Sequence, residues 1–320
     1  MYLMLKKISA ILLSLVMFFS LVGCSAGNSN GNVADVNGEI ISKEYFEKKF
    51  MILEKSYNEY YNQDIWTEEK DGKTFRELVR GRLLDSIIVE TLVRQSLDSS
   101  DFELDDNELE EALSTYNSEI ESNEELKKFY TDNGIDEEFI EKQIINQFYM
   151  EGLKDTIREE VKGSGEELDK YYDENVIEVR ARDILLKDEE SARDILLKIK
   201  SGEDFEELAK ENSEDPSTAY KGGDLGFFPK ARLEKELEDV AFSLEPGQVS
   251  DLIKTDLGYH ILKVEETRTI SELEEIDGME DKADKYKEEY IEEKVAKEYG
   301  AVVEALKSEA EVKSFLNNIK

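Results

Sequence analysis

The chain has 320 residues, of which 37% are charged, with 77 Asp+Glu against 41 Lys+Arg and a net charge of −36. That length admits about two ordinary domains, and the acidity excludes a grip on nucleic-acid phosphates, whose field repels such a surface. One cysteine and one histidine exclude an internal disulfide, a cysteine-rich zinc site and a multi-histidine metal centre, so no metal or cofactor is expected.

Lys6 and Lys7 precede an apolar run, Ile8–Val22, interrupted only by small serines. A basic start, an apolar stretch and then small residues make a secretory signal, and the run is shorter than the ~20 residues of a spanning helix. Leu21-Val22-Gly23-Cys24, followed by Ser25-Ala26-Gly27, resembles the lipobox of bacterial lipoproteins. The resemblance implies a signal peptide over 1–23, a lipidated Cys24 with a tether over 24–32, and attachment to the extracytoplasmic face of a membrane. Two or more acyl chains on one residue anchor stably where one does not. Gly23–Gly27 also satisfies the G-x-S-x-G pattern of a hydrolase nucleophile, but that turn needs a strand before it and a helix after it. A signal and a polar tether flank it here, so the hydrolase reading is rejected.

Residues 33–175 read as mainly helical. Val33–Val36 and Glu39–Ile41 flank Asn37-Gly38, the signature of a type I′ hairpin. Ser42 caps a predicted helix whose Phe46, Phe50, Leu53 and Tyr57 share a face. Thr74 and Glu77 form a capping box before Leu78, Leu83, Leu84, Ile87, Ile88 and Leu92. Asp105 with Glu108 opens another helix, a further one is predicted over 136–161, and Ser164 with Glu167 opens a short one through Tyr171.

From Val176 the texture changes. Strands are predicted over 179–186, 249–253 and 259–264, helices over 191–199 and 205–210, and a short helix carrying Leu233, Leu237 and Val240. All three prolines, Pro216, Pro229 and Pro246, fall here. The order β-α-α-β-α-β-β makes a compact α+β unit over 176–267. Ala-Arg-Asp-Ile-Leu-Leu-Lys occurs at 181–187 and again at 192–198, once in a predicted strand and once in a predicted helix, so the identity is taken as chance. Residues 268–320 are charged and helix-like, with a partial apolar stripe at Tyr286, Tyr290, Val295, Tyr299, Val302, Val303 and Leu306. That stripe needs a partner, and the N-terminal helices supply it. The fold class is therefore α+β: a helical domain of N- and C-terminal segments with an inserted α+β domain.

Several pieces of the inserted segment occur together and in order. They are Ala181-Arg182-Asp183-Ile184-Leu185-Leu186, Gly202–Ala209, Ser213-Glu214-Asp215-Pro216-Ser217, Gly222-Gly223-Asp224-Leu225-Gly226-Phe227-Phe228, Ala241–Gly247 and Gly258-Tyr259-His260-Ile261-Leu262. Residues 178–266 thereby resemble a parvulin-type peptidyl-prolyl isomerase domain. Val33–Phe46 and Tyr171–Asn175, with the lipobox, resemble the chaperone region of membrane-anchored extracytoplasmic foldases of the PrsA-like family, related to SurA. The resemblance implies a substrate pocket of Leu225, Phe228, Leu233 and Leu237, with His260, Asp215 and Asp183 at the catalytic polar positions. Such a site works without a nucleophile. Rotation about an X–Pro bond is hindered by ~20 kcal/mol, and the catalyst must bind the twisted amide better than either planar form.

Each residue also has a plainer role. His260 between apolar strand neighbours orients others by hydrogen bonds, Leu233 and Leu237 at i, i+4 fit a core helix, and Asp215 before Pro216 fits a turn. Asp183 stands where family members commonly carry a histidine, and leucines replace aromatic or methionine side chains at 233 and 237. Two alternatives follow for Asp183: it accepts a hydrogen bond from the His260 ring, or it repels Asp215 and drives one carboxyl to protonate. Restoring histidine there is expected to raise turnover. The implied function is a lipid-anchored foldase that binds unfolded secreted proteins and isomerises X–Pro bonds. The rivals are a non-catalytic holdase of the same architecture and a solute-binding lipoprotein, which fits the anchor but not the parvulin pieces. The sequence leaves the oligomeric state open, a homodimer included.

Overall fold

The computed structural model describes residues 31–61, 63–100 and 102–319. Cys24, the signal peptide and most of the tether lie outside the described residues. The chain forms two compact units, one from the segment ending at Val161 together with Glu292–Lys320, the other from Lys162–Ile291.

In the first unit, β1 (Asn32–Val36) and β2 (Glu39–Ser42) form the expected antiparallel hairpin. Asn37 and Gly38 both adopt positive φ, 53° and 89°, as a type I′ turn requires. Ser42 accepts a hydrogen bond from Tyr45 N and caps α1 (Lys43–Tyr60), which buries Phe46 and Phe50. Trp66 packs against Phe50, Tyr57 and Phe75. A small hairpin, β3 (Glu69–Lys70) and β4 (Lys73–Thr74), leads into the full Thr74/Glu77 capping box of α2 (Phe75–Asp98). Asp105 caps α3 (Asp106–Ser122). Asn123 then accepts from Leu126 N and starts a separate α4 (Glu124–Asp132), a helix the sequence reading did not separate. With α5 (Glu137–Lys162), these helices close over Ile120, Tyr130, Phe139, Ile140 and Ile144.

The second unit opens with α6 (Gly165–Glu174). Ser164 precedes it but offers its carbonyl, accepting from Glu167 N at 2.8 Å, with no side-chain cap bond. There follow β5 (Glu178–Leu186), α7 (Glu189–Lys200), α8 (Phe205–Asn212), β6 (Asp224–Pro229), α9 (Lys235–Ala241), β7 (Ile253–Lys254), β8 (Tyr259–Arg268) and α10 (Ile270–Glu274). The strands form an antiparallel sheet in the order β6-β5-β8-β7. One face, with Ile184, Leu186 and Ile261, is covered by Ile195, Leu196, Phe205 and Leu208 of α7 and α8. The other, with Val179, Ala181, Leu262 and Val264, packs on Phe228, Leu237 and Ala241. Burial on both faces leaves only Arg180 and Arg182 of β5 partly exposed, and the apolar run is confined to its last three residues, Ile184–Leu186. The strand expected over 249–253 is reduced to one bridge, Val249 with Lys263, and the two-residue β7, because Ser250 turns its hydroxyl onto Leu262 N. The unit is wider than 176–267: Tyr171 of α6 stacks on Tyr290 with centroids 3.5 Å apart.

The chain returns to the first unit along α11 (Glu280–Glu309), which ends in β9 (Val312–Ser314). This strand, absent from the sequence reading, pairs with β1 and completes the order β2-β1-β9. Asn37 N donates to Glu311 O at 2.9 Å, and Glu311 N donates to Asn37 Oδ1 at 2.8 Å. Buried Arg80 donates to Ile319 O at 2.6 Å while its guanidinium pairs with Glu47. N- and C-terminal segments thus share one helical domain, and the α+β domain is inserted between them. Among the described residues, no helix is long and apolar enough to cross a membrane.

Candidate functional site

Strand register builds the polar part of the site. Leu185 stands opposite His260 and Asp183 opposite Leu262, so Asp183 and His260 are diagonal neighbours on one face. His260 Nδ1 lies 2.8 Å from Asp183 Oδ2, with both residues buried at 3% and 6% exposure. His260 Nε2 lies 3.1 Å from the Thr255 hydroxyl, whose oxygen also accepts from Leu257 N at 3.1 Å. The hydroxyl hydrogen can point to Nε2, an arrangement in which Nδ1–H donates to the Asp183 carboxyl. Of the two alternatives for Asp183, the hydrogen bond to the ring is the one formed. Burial pushes its carboxyl above the usual carboxylate range, the His260 hydrogen bond opposes this, and the nearby Asp215 charge adds a smaller upward push. Asp183 Oδ1 is buried with no hydrogen-bond partner among the described residues.

Asp215 lies in a turn fastened to β5. Glu214 N donates to Leu185 O at 2.8 Å, and Leu185 N donates to Ser213 Oγ at 3.2 Å. The Asp215 carboxylate accepts from Ser217 N at 3.0 Å, from the Ser217 hydroxyl at 2.7 Å and from the Thr218 hydroxyl. Partial burial pushes this carboxyl up, but the Thr218 and Ser217 bonds together outweigh it and hold the group below the usual range. Gly223 brings the following loop onto β5. Its φ is +79°, Asp183 N donates to its carbonyl at 2.9 Å, and a Cβ there would lie 2.3 Å from Asp183 O.

The apolar part shares a face with this pair, since Ala181 and Leu262, two residues along each strand, belong to the same cluster. Phe228 and Leu237 are buried in it, while Leu225 and Leu233 are half-buried and pack against it. Leu233 is not on the predicted helix: α9 begins at Lys235, and Leu233 sits in the turn before it. Ala231 there has φ 63°, with its N–H donated to the Glu238 carboxylate, so the chain enters the helix late. Sequence reasoning missed Thr255, Ser217 and Thr218. A Thr-x-x-Gly turn just before the histidine strand was the available signal for Thr255. Among the described residues no group of side chains is arranged to hold a metal.

Fold and site together define a peptidyl-prolyl isomerase domain of parvulin type: residues 186–266 match the PPIC-type PPIASE (Rotamase) domain, and residues 2–147 match the SurA-like N-terminal domain. The Foldase protein PrsA of Caldanaerobacter subterraneus is 36% identical over 324 residues, covering 98% of this chain and 98% of that one. That of Geobacillus kaustophilus is 42% identical over 142 residues, covering 43% of this chain and 50% of the relative. A crystal structure of the Bacillus cereus peptidylprolyl isomerase PrsA aligns with a TM-score of 0.48 at 23% identity, over 92% of this chain and 97% of that one. The chain belongs to the PrsA foldase family.

Proposed function

We propose that this foldase is held at the extracytoplasmic face of a membrane by acyl chains on Cys24, binds unfolded secreted proteins, and accelerates cis/trans isomerisation of their X–Pro bonds. In this reading the proline ring sits among Leu225, Phe228, Leu233 and Leu237. That apolar surface strips water from the amide, which in water is stabilised in its planar, charge-separated form. An ionised Asp215 beside the pocket disfavours negative charge on the amide oxygen and with it the double-bond character of the C–N bond. His260, held between Asp183 and Thr255, keeps the pocket floor in one arrangement. The observation that carries the reading is the buried His260–Asp183 hydrogen bond on the face that also carries the apolar cluster.

The test is turnover of an X–Pro peptide by the full chain, followed as relaxation from cis to trans. Acceleration above the uncatalysed rate supports the isomerase. The absence of a second histidine beside His260 supports the holdase as the second reading. Suppression of client aggregation with no peptide turnover would establish that reading instead.

A further inference from the structure

The first unit holds a groove of about 750 Å³ between α3 and α5. Its floor is apolar, formed by Phe102, Leu104, Ala112, Tyr116, Ile144 and Phe148. Ala112 and Tyr116 are one turn apart on α3, and Ile144 and Phe148 are one turn apart on α5, so each helix presents a short apolar stripe to the groove. Gly152 shapes one end. A Cβ there would lie 2.3 Å from Phe102 Cε2, so the ring lies against α5 because this residue is glycine. Tyr149 flanks the same ring with centroids 5.3 Å apart.

The lips differ sharply from the floor. Glu108, Glu111 and Glu119 stand on α3, Glu151 and Asp155 on α5, and Glu103 at the end, all exposed. Asp155 pairs with Arg158, and Asp105 is occupied in capping α3. Every charged residue of the lining is a carboxylate. Charges of one sign above a low-dielectric floor focus their field into the groove and raise the local concentration of cations. A second copy of a chain with net charge −36 is a poor match for that field. The α3 lip from Glu108 to Glu119 is about 16 Å long at 1.5 Å per residue. That admits about five residues of extended chain at ~3.3 Å each.

We propose that this groove is a client-binding site selecting extended segments of unfolded polypeptide whose aromatic or aliphatic side chains are flanked by lysine or arginine. The proposal rests on the foldase reading and gives it a substrate class. Apolar side chains of the segment enter between Tyr116 and Phe148, and its cationic groups meet the glutamates on either lip. Single exposed ion pairs contribute little, so selection depends on several carboxylates acting together over buried apolar contact.

The experiment measures fluorescence anisotropy of a labelled peptide alternating Phe or Leu with Lys, against the same peptide with Glu for every Lys, using the full chain. The basic peptide is expected to bind about tenfold or more tightly at low salt, with the gap closing at high salt. The triple variant Glu111→Lys, Glu119→Lys, Glu151→Lys should lower affinity for the basic peptide about tenfold and raise it for the acidic one. Its thermal transition and its turnover of a short X–Pro peptide should stay unchanged. Ala112→Trp, which fills the floor, should weaken both peptides. Unchanged discrimination in the triple variant, with binding retained, overturns the groove while leaving the foldase reading intact. Failure of the unaltered chain to bind the basic peptide also overturns the groove, while X–Pro turnover by the same preparation reads the foldase proposal separately. A change of oligomeric state in Ala112→Trp, seen by sedimentation, would make the groove a self-association surface and overturn the proposal.

Discussion

Replacing Asp183 separates the two things its carboxylate does: accepting a hydrogen bond from His260 Nδ1 and placing a charge in a buried site. Asp183→Ala removes both. It strands a ring N–H in a site that is 3% exposed, and an unsatisfied buried donor costs about 1–3 kcal/mol. For a unit of this size that corresponds to a Tm lower by about 3–15 °C. Asp183→Asn keeps an acceptor for Nδ1 and removes only the charge, so its Tm at neutral pH should equal or exceed that of the unaltered protein. The pH dependence follows from the raised folded-state pKa. Between the unfolded value of ~3.9 and the higher folded value, the unfolded chain loses its proton first. Stability therefore falls as pH rises through that window, and Asp183→Asn should remove this fall. Turnover should drop about tenfold in Asp183→Ala through loss of ring positioning. It should persist in Asp183→Asn, and rise by up to about tenfold in Asp183→His, where a neutral imidazole accepts from Nδ1 without a buried charge. Calorimetry from pH 4 to 8 and X–Pro turnover on the same preparations check the series. An Asn variant as inactive as the Ala variant would refute the acceptor argument and assign the role to the charge itself.

Four further outcomes are expected. Leu233→Asp should abolish peptide turnover with little change in Tm because Leu233 is half-exposed, whereas Leu237→Asp should also unfold the domain because Leu237 is 7% exposed; equal Tm losses for the two would contradict this. Thr255→Val should lower turnover several-fold by freeing His260 Nε2, while Thr255→Ser restores it, read as kcat/KM over pH. Cys24→Ala should release the protein from membranes, and a variant that still pellets with them after a high-salt wash would remove the lipobox reading. Excising residues 162–291 should leave a first unit that melts cooperatively by circular dichroism, since the Arg158–Glu292 ion pair at 2.9 Å holds the two cut ends together.

Local physics was legible in the sequence. Asn37-Gly38 determined a turn with two positive φ angles because few other residue pairs accept them, and Ser42, Thr74 and Asp105 marked helix starts because their oxygens satisfy amides that a helix leaves free. The inserted α+β order followed from apolar period and turn residues. Only the tertiary structure decided the rest. The heptapeptide at 181–187 and 192–198 lies in β5 in one copy and in α7 in the other. Its local preferences are identical in both places, so the difference comes from what covers it: a sheet face buried on both sides in one case, a single apolar stripe in the other. The third strand, Val312–Ser314, exists because β1 offers it an open edge far away in sequence. The choice between Asp183 as partner and as repelled charge depended on strand register, which places Asp183 diagonally across from His260. Register is set by packing on both faces of the sheet, and no stretch of either strand read alone contains it.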